Sequence, residues 1–273
     1  MSAIALKNVA FRYPASPERA LDGVDLAVER GEIVLVTGPL GAGCSTLLLL
    51  LAGFAPRITS GTRTGTVRVL DTDPGTYDGW RAVVGRIGVL LPTPSTQISG
   101  MAFTVRDEVA FGPANLGWEP ARIRKEAAAA MERLGVAHLA ARDPTTLSGG
   151  ELQRVILAGL VAMHPSVYLL DEPALELDPE GAALVYELLP TLSEEASVVL
   201  ATTDVDRAAR IAHRAMLLDA GRVVACGTPD AVLGTVRAVA LDAAGTVPAV
   251  AHAAGCDAPY PLRVPELLAR LRP

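Results

Sequence analysis

Aromatic side chains are scarce in this chain: Phe, Trp and Tyr make up 4% of its 273 residues. Any core must be assembled from aliphatic groups, and with half of the residues apolar, mostly Ala, Leu and Val, there are enough of them. Basic excess is also missing, since a net charge of −6 leaves no broad positive footprint for nucleic acid. The only cysteines are Cys44, Cys226 and Cys256. Their spacings match no zinc or redox motif, and an odd number points to a reducing compartment. No apolar run reaches the ~18 residues of a membrane span. The longest runs, Leu47 to Ala52 and Val155 to Met163, fit buried helices. The opening MSAIALKNVAFRYP has no charged stretch followed by an apolar one, so the pattern of a secretory signal is absent. No internal repeat or low-complexity tract is present. These absences predict a cytoplasmic protein whose membrane role, if it has one, runs through a partner.

The length suits one large α/β domain or two small ones. Three short, unbroken apolar runs stand out: Ile33 to Val36, Val167 to Leu170 and Val198 to Leu200. Strands without alternation are expected in a parallel sheet covered on both faces. Each is followed by a turn and a helical pattern, the rhythm of an α/β fold. Ala3 to Tyr13, Gly23 to Glu29 and Thr66 to Leu70 read as strands of a small antiparallel layer. Arg122 to Leu134 reads as a helix stopped by Gly135. Ser148 and Glu151 have capping-box spacing, and Leu152, Val155, Ile156, Gly159, Leu160 and Met163 share one helical face beyond them. Asp178-Pro179 reads as an N-cap with proline at N1, and Pro190 is expected to end or kink that helix. After Gly227 the composition shifts to Ala, Pro and Val, with a closing helix near Pro265 to Leu271.

Three segments carry chemistry. Gly38, Pro39, Leu40, Gly41, Ala42, Gly43, Cys44, Ser45 and Thr46 lie between an apolar strand and a leucine-rich helix. A glycine-rich strand-to-helix loop lets backbone N–H groups point at phosphate oxygens, and the helix start adds partial positive charge. Ser45 falls where a hydroxyl would ligate Mg²⁺. Taken alone, an ordinary glycine-rich turn explains the segment nearly as well. The second segment, Leu147 followed by Ser148, Gly149, Gly150 and Glu151, makes another anion-binding helix start or a plain cap. The third, Val167 to Pro173, delivers Asp171 and Glu172 at the end of a buried strand. One carboxylate there would hold Mg²⁺ and the next would polarise water, unless they are simply a solvated pair.

In this order and spacing, the three segments resemble the ABC ATPase family over roughly residues 3–227. They look like Walker A, the ABC signature and Walker B, and Leu177-Asp178 looks like the D-loop. Tyr13 matches the aromatic that stacks on adenine in that family, although a tyrosine at a strand end is equally ordinary. Residues Phe103 to Gly117, with Val247-Pro248 and the closing Pro-Glu-Leu-Leu, are most similar to energy-coupling-factor ATPases. The resemblance implies an ABC-type P-loop fold with a parallel core sheet, an N-terminal antiparallel β subdomain and a helical signature subdomain. It implies a cassette over 1–227, with the helical part about 93–164, and an extension over 228–273. ATP and Mg²⁺ are the implied cofactors. The implied partners are a second ATPase subunit and transmembrane subunits that take up vitamins or transition-metal ions, at the inner face of the membrane. In the family two cassettes pair head to tail, and each signature completes the other's ATP site.

The chain departs from the pattern at one site. Cys44 stands where Walker A has lysine, Pro92 where the Q-loop has glutamine, and Thr203 where the H-loop has histidine. Gln97 matches a second glutamine of the energy-coupling group. Lysine contributes a charge-assisted bond of about 1.5–3 kcal/mol to phosphate. The histidine orients γ-phosphate and water, and proline offers no side-chain amide. Ser148, Gly149 and Gly150 are intact. The pattern reads as the degenerate, signature-donating member of a heterodimer. Two rivals stay open: a regulatory cassette that never hydrolyses, and a soluble ABC protein acting on nucleic acid or ribosomes, which the acidic charge and single cassette weaken. Restoring the missing charge should tighten nucleotide binding. Titration calorimetry is expected to show Cys44→Lys binding ATP roughly tenfold more tightly or better, the equivalent of ~1.4 kcal/mol. Equal affinities would mean that the loop does not cradle phosphate.

Overall fold

The computed structural model describes residues 2–235, 238 and 242–271. The chain divides into two compact units, residues 1–83 with 197–273, and residues 84–196.

In the first unit, β1 (Ser2–Arg12) lies between β2 (Leu21–Glu29) and β4 (Thr62–Val69), antiparallel to both. Alternation in β2 buries Val24, Leu26 and Val28 and exposes the residues between them, as a sheet with one covered face requires. A second sheet centres on β3 (Ile33–Thr37), which pairs in parallel with β7 (Ser197–Ala201) and β8 (Arg214–Asp219). Every residue of β3 and β7 is buried, the signature of a strand covered on both faces. An antiparallel strand, β9 (Arg222–Gly227), closes against β8. Helix α1 (Cys44–Leu51) packs on β4 and β7, and α2 (Tyr77–Val83) follows β4 in the chain. Asp73, beside α2, is bridged by both guanidinium nitrogens of Arg63.

The second unit holds β5 (Ile87–Leu90), parallel to β6 (Val167–Asp171), with four helices. They are α3 (Val105–Asn115), α4 (Pro120–Arg133), α5 (Gly149–Ala162) and α6 (Pro179–Ser193). Each start is marked locally: Thr104, Ser148 and Asp178 accept N–H bonds as N-caps, and Pro120 and Pro179 occupy the first turn. Helix α5 packs against α3, α4 and β5.

Two expectations are corrected here. The buried residues of α5 are Gln153, Val155, Ile156, Leu157, Ala158, Val161 and Ala162, not the face through Leu152, Gly159, Leu160 and Met163. A helix with neighbours on several sides is apolar nearly all round, so a single-face reading fails. Of the two outcomes expected at Pro190, an end is excluded, since α6 runs on to Ser193. The lost i−4 bond, costing about 3 kcal/mol, is outweighed by burial of Val185, Leu188, Leu189 and Leu192 along the same helix.

The tail continues the first unit with α8 (Pro229–Leu233), α9 (Thr246–Ala253) and α10 (Val264–Leu271), and α7 (Val205–Ile211) precedes β8. Val247, Ala251, Tyr260 and Leu267 form a small core. His252 Nδ1 and Tyr260 Oη share a hydrogen bond of 2.7 Å, and Asp206 of α7 accepts the Thr246 N–H at 3.0 Å. Within the tail expected over 228–273, residues 236, 237, 239–241, 272 and 273 lie outside the described ones. No described helix is long and apolar enough to cross a membrane.

Leu157 sits at the centre of the packed helices with no exposed surface. Leu157→Ala is expected to destabilise the chain by about 2–5 kcal/mol, because removed methyl groups leave a cavity. Denaturant unfolding would show it, and a cost below about 1 kcal/mol would mean that α5 is not part of a close-packed core.

Candidate nucleotide site

The glycine-rich loop joins the buried end of β3 to α1. Gly43 takes φ 107°, and a Cβ there would lie 2.5 Å from the Ala20 carbonyl oxygen and 2.9 Å from Leu21. Only glycine satisfies both the backbone angle and the close approach. The start of α1 has no side-chain cap and no acidic residue in its first turn. A helix start behind a glycine-rich turn carries partial positive charge, which favours an anion there. Ser45 is exposed at this start, whereas Thr46 is buried. Cys44 is half-buried and brings no charge.

Tyr13 lies just past the end of β1. Its hydroxyl is 3.0 Å from Thr46 Oγ1, and its ring meets Phe11 edge-on at 4.9 Å. The two readings of this residue meet here: it is a strand-end tyrosine, and it stands beside the loop. Thr203 belongs to the same unit and is exposed. It lies between Thr202, whose hydroxyl accepts the Asp204 N–H at 3.0 Å, and Asp204, which caps α7 and pairs with Arg207 at 2.7 Å.

In the second unit, Asp171 is 4% exposed at the C-terminal end of β6. Glu172 follows with φ 49°, a left-handed conformation uncommon for a side chain of this size. Pro92 is half-buried in the loop after β5. Gln97 holds that loop by its amide, donating to Val89 O at 2.8 Å and accepting from Leu91 N–H at 2.7 Å. Further on, buried Glu108 accepts the Ser99 N–H at 2.7 Å and the Ser99 hydroxyl at 2.6 Å.

The signature segment forms a complete capping box. Ser148 N–H donates to Glu151 at 2.8 Å, and Glu151 N–H donates back to Ser148 Oγ at 3.3 Å. That backbone donation, with the Ser148 hydroxyl, holds the Glu151 carboxyl below its usual range. Gly149 and Gly150 lie directly against Glu176: added Cβ atoms would come within 2.6 Å of its carboxylate and 2.8 Å of its carbonyl oxygen. An open pocket of ≈ 290 Å³ lies over this turn, with Arg154 and Asp178 on its rim.

The structure therefore brings Tyr13 to the phosphate loop, and the signature turn to the loop between Glu172 and Asp178. Sequence reasoning noted Gln153 after the signature but gave it no role; it bonds Glu172 and Glu176 from inside α5. Its polar neighbours Glu151 and Arg154 hide its burial in the sequence.

The ABC transporter family pattern matches residues 21–175. An energy-coupling factor transporter ATP-binding protein from Methanospirillum hungatei is 38% identical over 83% of this chain, which spans only 56% of that relative. A putative ABC transporter ATP-binding protein from Methanothermobacter marburgensis is 33% identical over 100% of this chain and 99% of its own length. Among solved structures, cbiO1 from Clostridium perfringens, part of the ABC transporter complex cbiONQ, superposes with a TM-score of 0.75 at 26% identity. That match covers 93% of this chain and 99% of the other. With its loop, signature and Walker B segments built on an α/β frame of this kind, the chain belongs to the ABC transporter family and carries that family's ATP-binding domain.

Proposed function

We propose that this chain is an ATP-binding subunit of an energy-coupling-factor type transporter, and that it completes a partner cassette's nucleotide site while its own site turns over little. The observation that carries this reading is a contrast within one chain. The signature turn has its serine, both glycines and a closed capping box. The phosphate loop has Cys44 for lysine, and Pro92 and Thr203 replace the two other groups that position γ-phosphate and water. Phosphoryl transfer depends almost wholly on positioning and charge stabilisation, so these losses fall on turnover.

ATP would set its phosphates against the uncapped start of α1, with Tyr13 beside the base. The family resemblance assigns Ser45 and Asp171 to Mg²⁺, which would supply charge toward the phosphates. In this reading Glu172 is the carboxylate that would polarise water. The cassette over 1–227, its helical part about 93–164 and the extension over 228–273 belong to the same proposal. So do a second ATPase subunit, transmembrane subunits and a position on the inner membrane face. Vitamins or transition-metal ions are the cargo class that the resemblance to energy-coupling-factor ATPases implies. The missing lysine favours a second reading, a regulatory cassette that binds nucleotide without hydrolysing it.

The isolated chain with Mg²⁺ and ATP is expected to show no turnover above its Glu172→Gln variant, and robust activity abolished by that substitution would falsify the degenerate site. In a reconstituted complex with a second cassette and membrane subunits, Ser148→Arg or Gly149→Asp should nearly abolish ATPase activity and uptake. Removing an oriented donor of this kind costs on the order of a hundredfold or more. Restoring Cys44→Lys and Thr203→His should change the rates much less. Signature variants that retain near wild-type rates would transfer the chain to the regulatory reading.

A further inference from the structure

Gln153 has no exposed surface, on a helix whose other buried residues are aliphatic. Buried amides persist where both ends are bonded. Here Nε2 donates to the Glu172 carbonyl at 2.9 Å, and Oε1 accepts the Glu176 N–H at 2.9 Å. Both groups lie on the loop that leaves β6, which runs from Glu172 to Asp178. The Glu172 carbonyl also accepts the Leu175 N–H at 3.2 Å, closing a turn around its left-handed backbone. From that loop Glu176 reaches the other end of the contact, where its carboxylate and carbonyl crowd Gly149 and Gly150. Gln153 stands four residues after Gly149, hence on the same helical side. One side chain thus ties the loop to the helix one turn below the signature.

We infer that Gln153 is a positioning residue for the partner's nucleotide site: through the loop from Glu172 to Glu176 it sets the placement of the Ser148–Gly150 turn. This inference rests on the signature-donor reading above. It also gives Glu172 a role in a chain whose own site lacks its charge, because the backbone shape at Glu172, not only its carboxylate, supports the turn. The helix start behind the turn would direct its partial positive charge at a phosphate on another protein. A small displacement of such donors weakens transition-state stabilisation more than ground-state binding.

The test uses the complex reconstituted with a second cassette and membrane subunits. Gln153→Met keeps side-chain length and volume but removes both hydrogen bonds. The expected result is a kcat for ATP hydrolysis lowered on the order of tenfold or more, with KM changed less than about twofold. Combined with Ser148→Ala, the loss should be smaller than the product of the separate losses, since both substitutions act on one turn. A purely structural defect would instead lower the amount of active complex and multiply with Ser148→Ala. Ser148→Arg is the control. If it abolishes activity while Gln153→Met retains wild-type rates, or if the combined losses multiply, the positioning role is overturned and the donor reading stands. If Ser148→Arg itself is silent, the donor reading fails and takes this inference with it. Should Gln153→Met not fold, hydrogen exchange on the unaltered complex decides: the Glu176 amide is expected to be protected, and exchange at open-loop rates overturns the role.

Discussion

A parallel strand buried on both faces cannot return through a hairpin, and this constraint shapes the rest of the molecule. In β3 and β6 every residue is buried. Each pairs in parallel with a neighbour, so the chain must leave at the strand's C-terminal end and cross over before pairing again. After β3 the crossover begins with the glycine loop and α1. After β6 it begins with Asp171, Glu172 and the turn that leads to α6. Chemistry gathers at these exits because backbone groups there have left the ladder and not yet entered a helix.

Polarity at the two glycine-rich helix starts is handled in opposite ways. At α1 the N-cap is Gly43, which has no side chain to cap with, and no acidic residue stands in the first turn. At α5 the donors are partly satisfied within the chain, by Ser148 and Glu151, and the carboxylate is stabilised in return. A helix start supplies only partial charge. With Cys44 rather than a cationic side chain beside it, the proposed phosphate loop would have backbone dipoles and the Ser45 hydroxyl to work with. The signature turn has instead its whole local frame, including contact with Glu176 that only glycine permits.

Much of the frame was legible in the residues themselves. Ile33 to Val36, Val167 to Leu170 and Val198 to Leu200 are parallel strands within one residue of their expected ends, because unbroken aliphatic runs signal two covered faces. The Ser148 capping box and the Asp178-Pro179 helix start are local, and short-range hydrogen bonds write them into the sequence. The face of α5 and the persistence of α6 past Pro190 were not legible. Both depend on how many neighbours a helix has, which no periodicity records.

The sequence by itself determined the α/β class, the three glycine- or carboxylate-bearing segments and the lack of a cationic side chain at Cys44 and Thr203, since each follows from residue identity or near-neighbour spacing. Tertiary structure alone decided that Tyr13 meets Thr46, that Gln97 clamps the end of β5, and that Gln153 bridges Glu172 and Glu176. Tyr13 and Thr46 are 33 residues apart, and Gln153 reaches partners 19 and 23 residues away. Such pairs form only after packing has brought distant segments together and removed water from them, leaving each polar group to find its partner inside the fold.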